Sequence, residues 1–326
     1  MTRRRVAVGE LSLGCAQLGN LYRAVSDEDA RATVDAAWHL GVRYFDTAPH
    51  YGLGLSERRL GEALAAYPRE AYVLSTKVGR LLEPVDTVHG LDEEGFAVPA
   101  THRRVWDFSR DGIRRSLSES LERLGVERVD IVYLHDPDDH WNEVIDTGFP
   151  ALAELRGEGT VAAVGAGMNQ AAMLADLVRQ TDVDVLMLAG RYTLLEQEAL
   201  DDLLPLCDER GVAIVAAGVF NSGLLARAHP PADAMYDYGA APPDLVLRAR
   251  AIASVCERHG TTLPAAAIAF PLGHPAVVSV CVGARSAEQM ERNATLYRER
   301  IPPDLWSELK EKGLLREDAP VPAGAR

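Results

Sequence analysis

Apolar positions along this chain fall into two alternating kinds of run. Short, nearly continuous stretches occupy Leu11–Ala16, Arg43–Asp46, Tyr72–Lys77, Val129–His135, Val161–Gly167, Val183–Leu188, Ala213–Ala217 and Val277–Val282. They are rich in Val, Ile, Leu and Ala and show little polar alternation, the pattern of strands covered on both faces. Between them, apolar residues recur at helical spacing over Asp27–Leu40, Glu57–Ala66, Asp111–Leu124, Ala151–Arg156, Gln170–Gln180, Glu198–Arg210, Asp244–Arg258 and Ala287–Arg298. Gly41, Gly125, Gly211 and Gly260 stand just past predicted helices, where a left-handed cap favours a residue without Cβ. Ser26 can cap the first helix, and Ser286 with Gln289 has capping-box spacing. Eight strand–helix alternations predict an α/β chain closed as a (β/α)8 TIM barrel, one domain over residues 1–326. A doubly wound open sheet would usually carry fewer units, and no GxGxxG follows the first strand to mark a Rossmann site.

Three connections are too long for plain barrel turns: Arg80–Phe108, Asp136–Pro150 and Val219–Pro243. Each follows a strand, so each belongs on the C-terminal face, where barrel enzymes place their sites. They carry Trp106 and Phe108, His140 and Trp141, and Tyr236 and Tyr238. Such aromatics either shape a substrate pocket or anchor their own loops. After Ile301 the pattern predicts a short helix, Pro303–Lys312, and a frayed tail with Pro320 and Pro322.

Composition narrows the partners. The 326 residues are 47% hydrophobic and carry a net charge of −14, which disfavours nucleic acid and anionic membranes as partners. It does not exclude a phosphate-bearing cofactor, because backbone N–H groups can bind one inside a cleft. The four cysteines lack metal-type spacing and read as buried thiols of a reducing, cytoplasmic compartment. The basic start Met1–Arg5 lacks the apolar segment of a signal peptide, and no stretch has the apolar length of a membrane span.

Four polar residues fall at, or just beyond, the C-terminal ends of consecutive predicted strands. Asp46 ends the second, Tyr51 follows in its turn, Lys77 ends the third and His135 ends the fourth. A closed barrel gathers these ends around one mouth. Asp46 and Lys77 would each be costly alone in apolar surroundings and compensate each other as a pair. An ammonium beside a phenol stabilises the phenolate, so Lys77, held by Asp46, can lower the proton affinity of Tyr51. Tyr51 can then exchange a proton with a carbonyl or alcohol oxygen that His135 orients. That equipment suits hydride exchange with a nicotinamide. It suits hydrolysis poorly, since neither a Ser-His-Asp nor a paired-carboxylate arrangement is present.

At these residues the chain resembles the aldo-keto reductase superfamily. The run Phe45-Asp-Thr-Ala-Pro-His-Tyr-Gly52, with Ser56-Glu57 and Leu60-Gly61, looks like its signature, and Thr76-Lys77 and Leu134-His135 match its other catalytic segments. The resemblance runs from Leu13-Gly14 to Gly283–Asn293. It implies a barrel often preceded by a short β-hairpin, here Arg4–Leu13. It also implies Tyr51 as general acid/base, Lys77 and Asp46 as its tuning pair, and His135 as the carbonyl-orienting group.

For the cofactor, Asn169 matches the family's carboxamide-binding Asn, and Asn221-Ser222-Gly223-Leu224-Leu225 matches its pyrophosphate loop. Positions where relatives carry a Gln and a stacking aromatic hold Ala189 and Ala217 here, leaving Tyr192 or Phe220 as substitutes. In the segment from Gly283 to Asn293, Gln289 stands where NADP-preferring relatives place an Arg, and no Lys is present, so NAD is favoured. NADP remains possible through Arg285 or Arg292. His135-Asp-Pro-Asp138, Ala189–Leu195 and Gly218–Leu225 look like the subgroup of L-fucose, L-galactose and D-threo-aldose 1-dehydrogenases. The resemblance implies a small sugar or aldehyde as substrate, with His50, Trp106 and Trp141 as pocket residues. Pyridoxal 4-dehydrogenases are similar. A general aldehyde or ketone reductase is a further class. So is a non-catalytic cofactor-binding subunit, against which the intact tetrad argues.

Overall fold

A computed structural model describes residues 6–237 and 239–323. Eight parallel strands close a barrel in simple sequential order: β1 (Leu11–Gly14), β2 (Tyr44–Asp46), β3 (Val73–Val78), β4 (Ile131–His135), β5 (Ala163–Met168), β6 (Val185–Ala189), β7 (Ala213–Ala217) and β8 (Val277–Gly283). Register brings the strand ends level: Gly14 pairs Asp46, Lys77 pairs Tyr133, and His135 pairs Gly167. Helices α1 (Asp27–His39), α2 (Leu55–Leu64), α3 (Arg110–Leu124), α4 (Phe149–Gly157), α5 (Ala171–Gln180), α6 (Leu203–Arg210), α7 (Pro243–Arg258), α8 (Leu263–Ala269), α9 (Ala287–Arg298) and α10 (Pro303–Glu311) cover the outside.

The predicted caps Ser26 and Ser286 form, each accepting a hydrogen bond from a backbone N–H in the first turn of α1 and α9, and Ser109, which was not predicted, does the same for α3. α8 escapes the sequence pattern because it is buried all round, so its residues 263–269 show no polar face to mark a period.

Alternation along the strands splits the core in two. Outward side chains join the helices in one large apolar layer, whereas Tyr44, Ile131, Tyr133, Ala163, Val185, Met187, Val215 and Cys281 fill the barrel interior. Val6 and Val8 pack against this inner cluster. The expected N-terminal hairpin is not borne out in its described part: residues 6–10 form no strand, and Leu11–Leu13 are spent on β1. Arg4 and Arg5 lie outside the described residues, as does Tyr238.

One loop and the C-terminal tail differ from expectation. Inside Arg80–Phe108, the segments Arg80–Pro84 and His102–Trp106 pair as an antiparallel hairpin. The tail is packed, not frayed: Leu315 and Ala319 are buried, and a Cβ at Gly273 would lie 2.6 Å from the Val321 carbonyl carbon.

Candidate active site

The C-terminal ends of β2, β3 and β4 place Asp46, Lys77 and His135 side by side, and all three are buried. Lys77 Nζ donates to Asp46 Oδ2 at 2.6 Å, to the Thr47 carbonyl at 3.0 Å and to Tyr51 Oη at 3.1 Å. Three acceptors for three N–H bonds fix the ammonium completely. The turn carrying Tyr51 is held by a close backbone crossing: a Cβ on Gly52, at φ +64°, would sit 2.2 Å from the Gly19 oxygen. Only glycine allows the loops after β1 and β2 to meet there. The His135 ring stands edge-on to Tyr51, centroids 5.7 Å apart, and to His50 at 5.4 Å.

Electrostatics assign protonation states. Burial works against the Lys77 ammonium, but the Asp46 carboxylate and Tyr51 overcome it and hold its pKa above the ordinary lysine value. Burial pushes Tyr51 above the usual phenol range, and Lys77 offsets this only in part. The sequence expectation of a net lowering is thus corrected: desolvation of the phenolate outweighs the adjacent cation, and Tyr51 keeps its proton at neutral pH. His135 is held well below the ordinary histidine value by burial, with Arg80 and Lys77 adding to it. His50 is pulled down to about 2 by burial, Arg80 and Arg104. Both imidazoles are neutral, and the buried His135 Nδ1 has no partner.

Around this centre lie groups that sequence reasoning passed over. Arg80, on the hairpin, bonds Asp136 Oδ2 at 2.6 Å, and its guanidinium lies 4.3 Å from the Trp106 ring centroid. Arg104 bonds Asp92 through both terminal nitrogens and His50 Nδ1 through Nε at 2.6 Å. Phe96 closes against His50 and Tyr51 at 5.1 and 6.1 Å. Its neighbours Leu53, Leu82 and Val98 complete an apolar wall beside Tyr51. Asp136, next to His135, has φ +41°, a left-handed conformation that an aspartate can adopt. That strained backbone is visible only in three dimensions.

The structure sorts the predicted pocket and cofactor residues. His50 is at the centre of the mouth, whereas Trp106 is partly exposed on the hairpin, stacked near Phe108 and His140. Trp141 is half-buried against the outer apolar layer and makes no ring contact with the mouth among the described residues. Tyr192 is not available to stack on a ring at the mouth: it is 1% exposed and packed against Phe270 and His274. Phe220 is partly buried at the loop after β7, and Asn169 is partly buried just after β5.

The loops after β7 and β8 have the chemistry to hold a dinucleotide. Asn221 and Ser222 take positive φ, as does Gly223, where a Cβ would meet nothing within 4 Å. Asn221 Nδ2 anchors on the Gly190 carbonyl at 3.1 Å and leaves Oδ1 buried without a partner. Leu225 is buried beneath. Across the gap, Asn293 Nδ2 bonds the Gly283 carbonyl at 3.2 Å, leaving its Oδ1 unpartnered, and Arg285 Nε is likewise orphaned. Buried polar atoms without partners are what a polar ligand would satisfy. A Cβ on Gly283 would approach the end of the Gln17 side chain to 2.4 Å, so the Gln17 amide packs directly over this backbone. Gln289 Oε1 accepts from the Arg285 backbone N–H at 3.0 Å, and Arg292 is exposed.

Residues 10–313 match the model of the Aldo/keto reductase family. The chain is 49% identical to a D-threo-aldose 1-dehydrogenase of a Pseudomonas species over 95% of each chain. It is 40% identical to a pyridoxal 4-dehydrogenase of Microbacterium luteolum over 96% of each. Its fold matches an aldo-keto reductase of Bacillus halodurans in its holo form, with a TM-score of 0.74 and 24% identity over 97% of each chain. No described helix is long and apolar enough to cross a membrane. The buried lysine–carboxylate pair beside a tyrosine, at the mouth of a closed barrel, thus belongs to an oxidoreductase that uses a nicotinamide cofactor, and the chain is a member of the aldo/keto reductase family.

Proposed function

We propose that this enzyme oxidises an aldose of the L-fucose, L-galactose or D-threo-aldose type at C1 to a lactone, with NAD preferred over NADP. The bound nicotinamide supplies the hydride acceptor. The chain supplies the rest. Tyr51 first loses its own proton to solvent at the mouth; the phenolate, stabilised by Lys77 at 3.1 Å, then takes the proton leaving the anomeric hydroxyl. Asp46 holds Lys77 charged and oriented. His135, neutral, places the substrate oxygen by a hydrogen bond without competing as an acid. Asn169, Phe220, Asn221–Gly223, Leu225, Gly283, Arg285, Gln289, Arg292 and Asn293 would hold the cofactor.

The observation that carries this reading is the Asp46–Lys77–Tyr51 chain beneath His135, together with 49% identity to a D-threo-aldose 1-dehydrogenase over almost the whole length. An activity matrix of aldoses, pyridoxal and simple aldehydes against NAD and NADP tests it. Turnover of aldoses with NAD is expected, and no turnover on any sugar overturns the assignment. Pyridoxal is the second reading, supported by the 40% identical relative and by the aromatic lining that His50, Tyr51 and Phe96 give the mouth.

A further inference from the structure

The interior of the barrel holds a polar feature that packing does not require. Tyr44 and Tyr133 are fully buried in a ring of Ile131, Ala163, Val185, Met187 and Val215. Their hydroxyls are 3.0 Å apart, Tyr44 Oη is 3.1 Å from Ser75 Oγ, and Ser75 Oγ donates to Asp46 Oδ1 at 2.7 Å. Burying two phenols here is costly unless every hydroxyl is bonded, and phenylalanine would fill the same space.

Proton counting fixes the direction of the line. A carboxylate only accepts, so the single Ser75 proton goes to Asp46. Ser75 must therefore accept from Tyr44, and Tyr44 in turn from Tyr133. All three dipoles point at Asp46 Oδ1, on the side away from Lys77, and bonds aligned this way strengthen one another. We propose that Tyr133, Tyr44 and Ser75 are positioning residues, a line of three hydroxyls that anchors the Asp46 carboxylate from inside the barrel and thereby governs proton transfer at Tyr51. The proposal rests on Tyr51 being the acid/base.

Other groups around the centre leave the line intact. Cys15, just past β1, and Cys281 on β8 lie near Asp46, and burial keeps both as thiols, Cys281 pushed up to about 12. On the opposite side the mouth presents Asp136, His135, His50 and Arg80, none of which bonds Asp46 among the described residues. Burial also raises Tyr44 and Tyr133, so both remain donors.

The test compares Ser75→Ala, Ser75→Cys, Tyr44→Phe and Tyr133→Phe in the full-length protein. The first readout is the pH profile of kcat/KM for the best-used aldose and for 4-nitrobenzaldehyde reduction. The second is the 13C NMR chemical shift of the Asp46 carboxyl carbon, which needs no turnover. Ser75→Ala removes a charge-assisted hydrogen bond from the carboxylate and should therefore move the Asp46 carboxyl 13C signal. It should also lower kcat/KM about tenfold and move its basic limb upward. The effect should shrink in the order Ser75→Ala, Tyr44→Phe, Tyr133→Phe, with Ser75→Cys below Ser75→Ala. Melting temperatures that fall while the limb and the Asp46 carboxyl 13C signal stay put would reduce the line to packing and overturn the proposal. Tyr51→Phe separates the two failures. If it stays active, the acid/base reading itself is wrong. If it is inactive while the line variants leave both readouts unmoved, only the line is wrong.

Discussion

Glu57 and Arg123 form an ion pair behind the catalytic strands, carboxylate Oε2 to guanidinium Nε at 2.5 Å, with Glu57 fully buried. The other carboxylate oxygen accepts from Thr76 Oγ1 at 2.7 Å, so the pair that ties α2 to α3 also grips the residue before Lys77. Glu57→Ala takes the acceptor from Thr76 Oγ1 and leaves Arg123 only Ser120 Oγ and the more distant Glu119, and breaking a buried pair costs about 3–5 kcal/mol. Urea unfolding should show that loss, with kcat falling less steeply than stability. A change below about 1 kcal/mol would mean that water replaces the carboxylate without difficulty.

Tyr51→Phe keeps the ring against Phe96 and removes only the hydroxyl. Cofactor affinity, read by fluorescence titration, should remain within about twofold, whereas kcat should fall about 10²-fold or more. Turnover near the wild-type rate would take the proton-transfer role away from Tyr51.

Stability should decline on mild acidification. His135 and His50 both have depressed pKa values in the folded protein, so below about pH 6.5 the unfolded chain binds protons that the folded one refuses. Their contribution is fully present above the ordinary histidine value and is lost as pH falls beneath it. Each histidine steepens the loss by up to about 1.4 kcal/mol per pH unit. Denaturation midpoints between pH 7 and pH 5 measure the slope, and His50→Gln should flatten it by up to about 1.4 kcal/mol per pH unit. An unchanged slope would show that His50 is protonated in the folded state after all.

Gln289→Arg should raise kcat/KM with NADP about tenfold relative to NAD, the scale of one added charge-assisted hydrogen bond. The substitution also removes the acceptor for the Arg285 N–H, so a small loss of thermal stability is expected alongside. A cofactor ratio that does not move would place the 2′-position of the ribose elsewhere.

Much of this was legible in the sequence, for identifiable reasons. Parallel strands covered on both faces read as uninterrupted apolar runs, and all eight were found, from Leu11 to Gly283, with ends displaced by no more than two residues. Asp46, Lys77 and His135 showed themselves because charged or titratable groups ending such runs demand partners. Pairings that depend on fold-level proximity did not show. Nothing in the chain announces that Ser75 touches Asp46, or that Arg104 reaches back to His50. Tyr192 misled because an aromatic near a strand end fits a pocket or the outer layer equally well, and only the packing of Phe270 and His274 decides. The hairpin inside Arg80–Phe108 was hidden by charged and turn-forming residues that mask its pairing.

That hairpin has an evolutionary corollary. Proton-handling groups hang from β2, β3 and β4, whose geometry the barrel dictates, while Arg80, Phe96, Arg104 and Trp106 arrive together on one insertion. A lineage can therefore rewrite or exchange this single excursion and admit a new class of molecule, leaving untouched the strand ends beneath it.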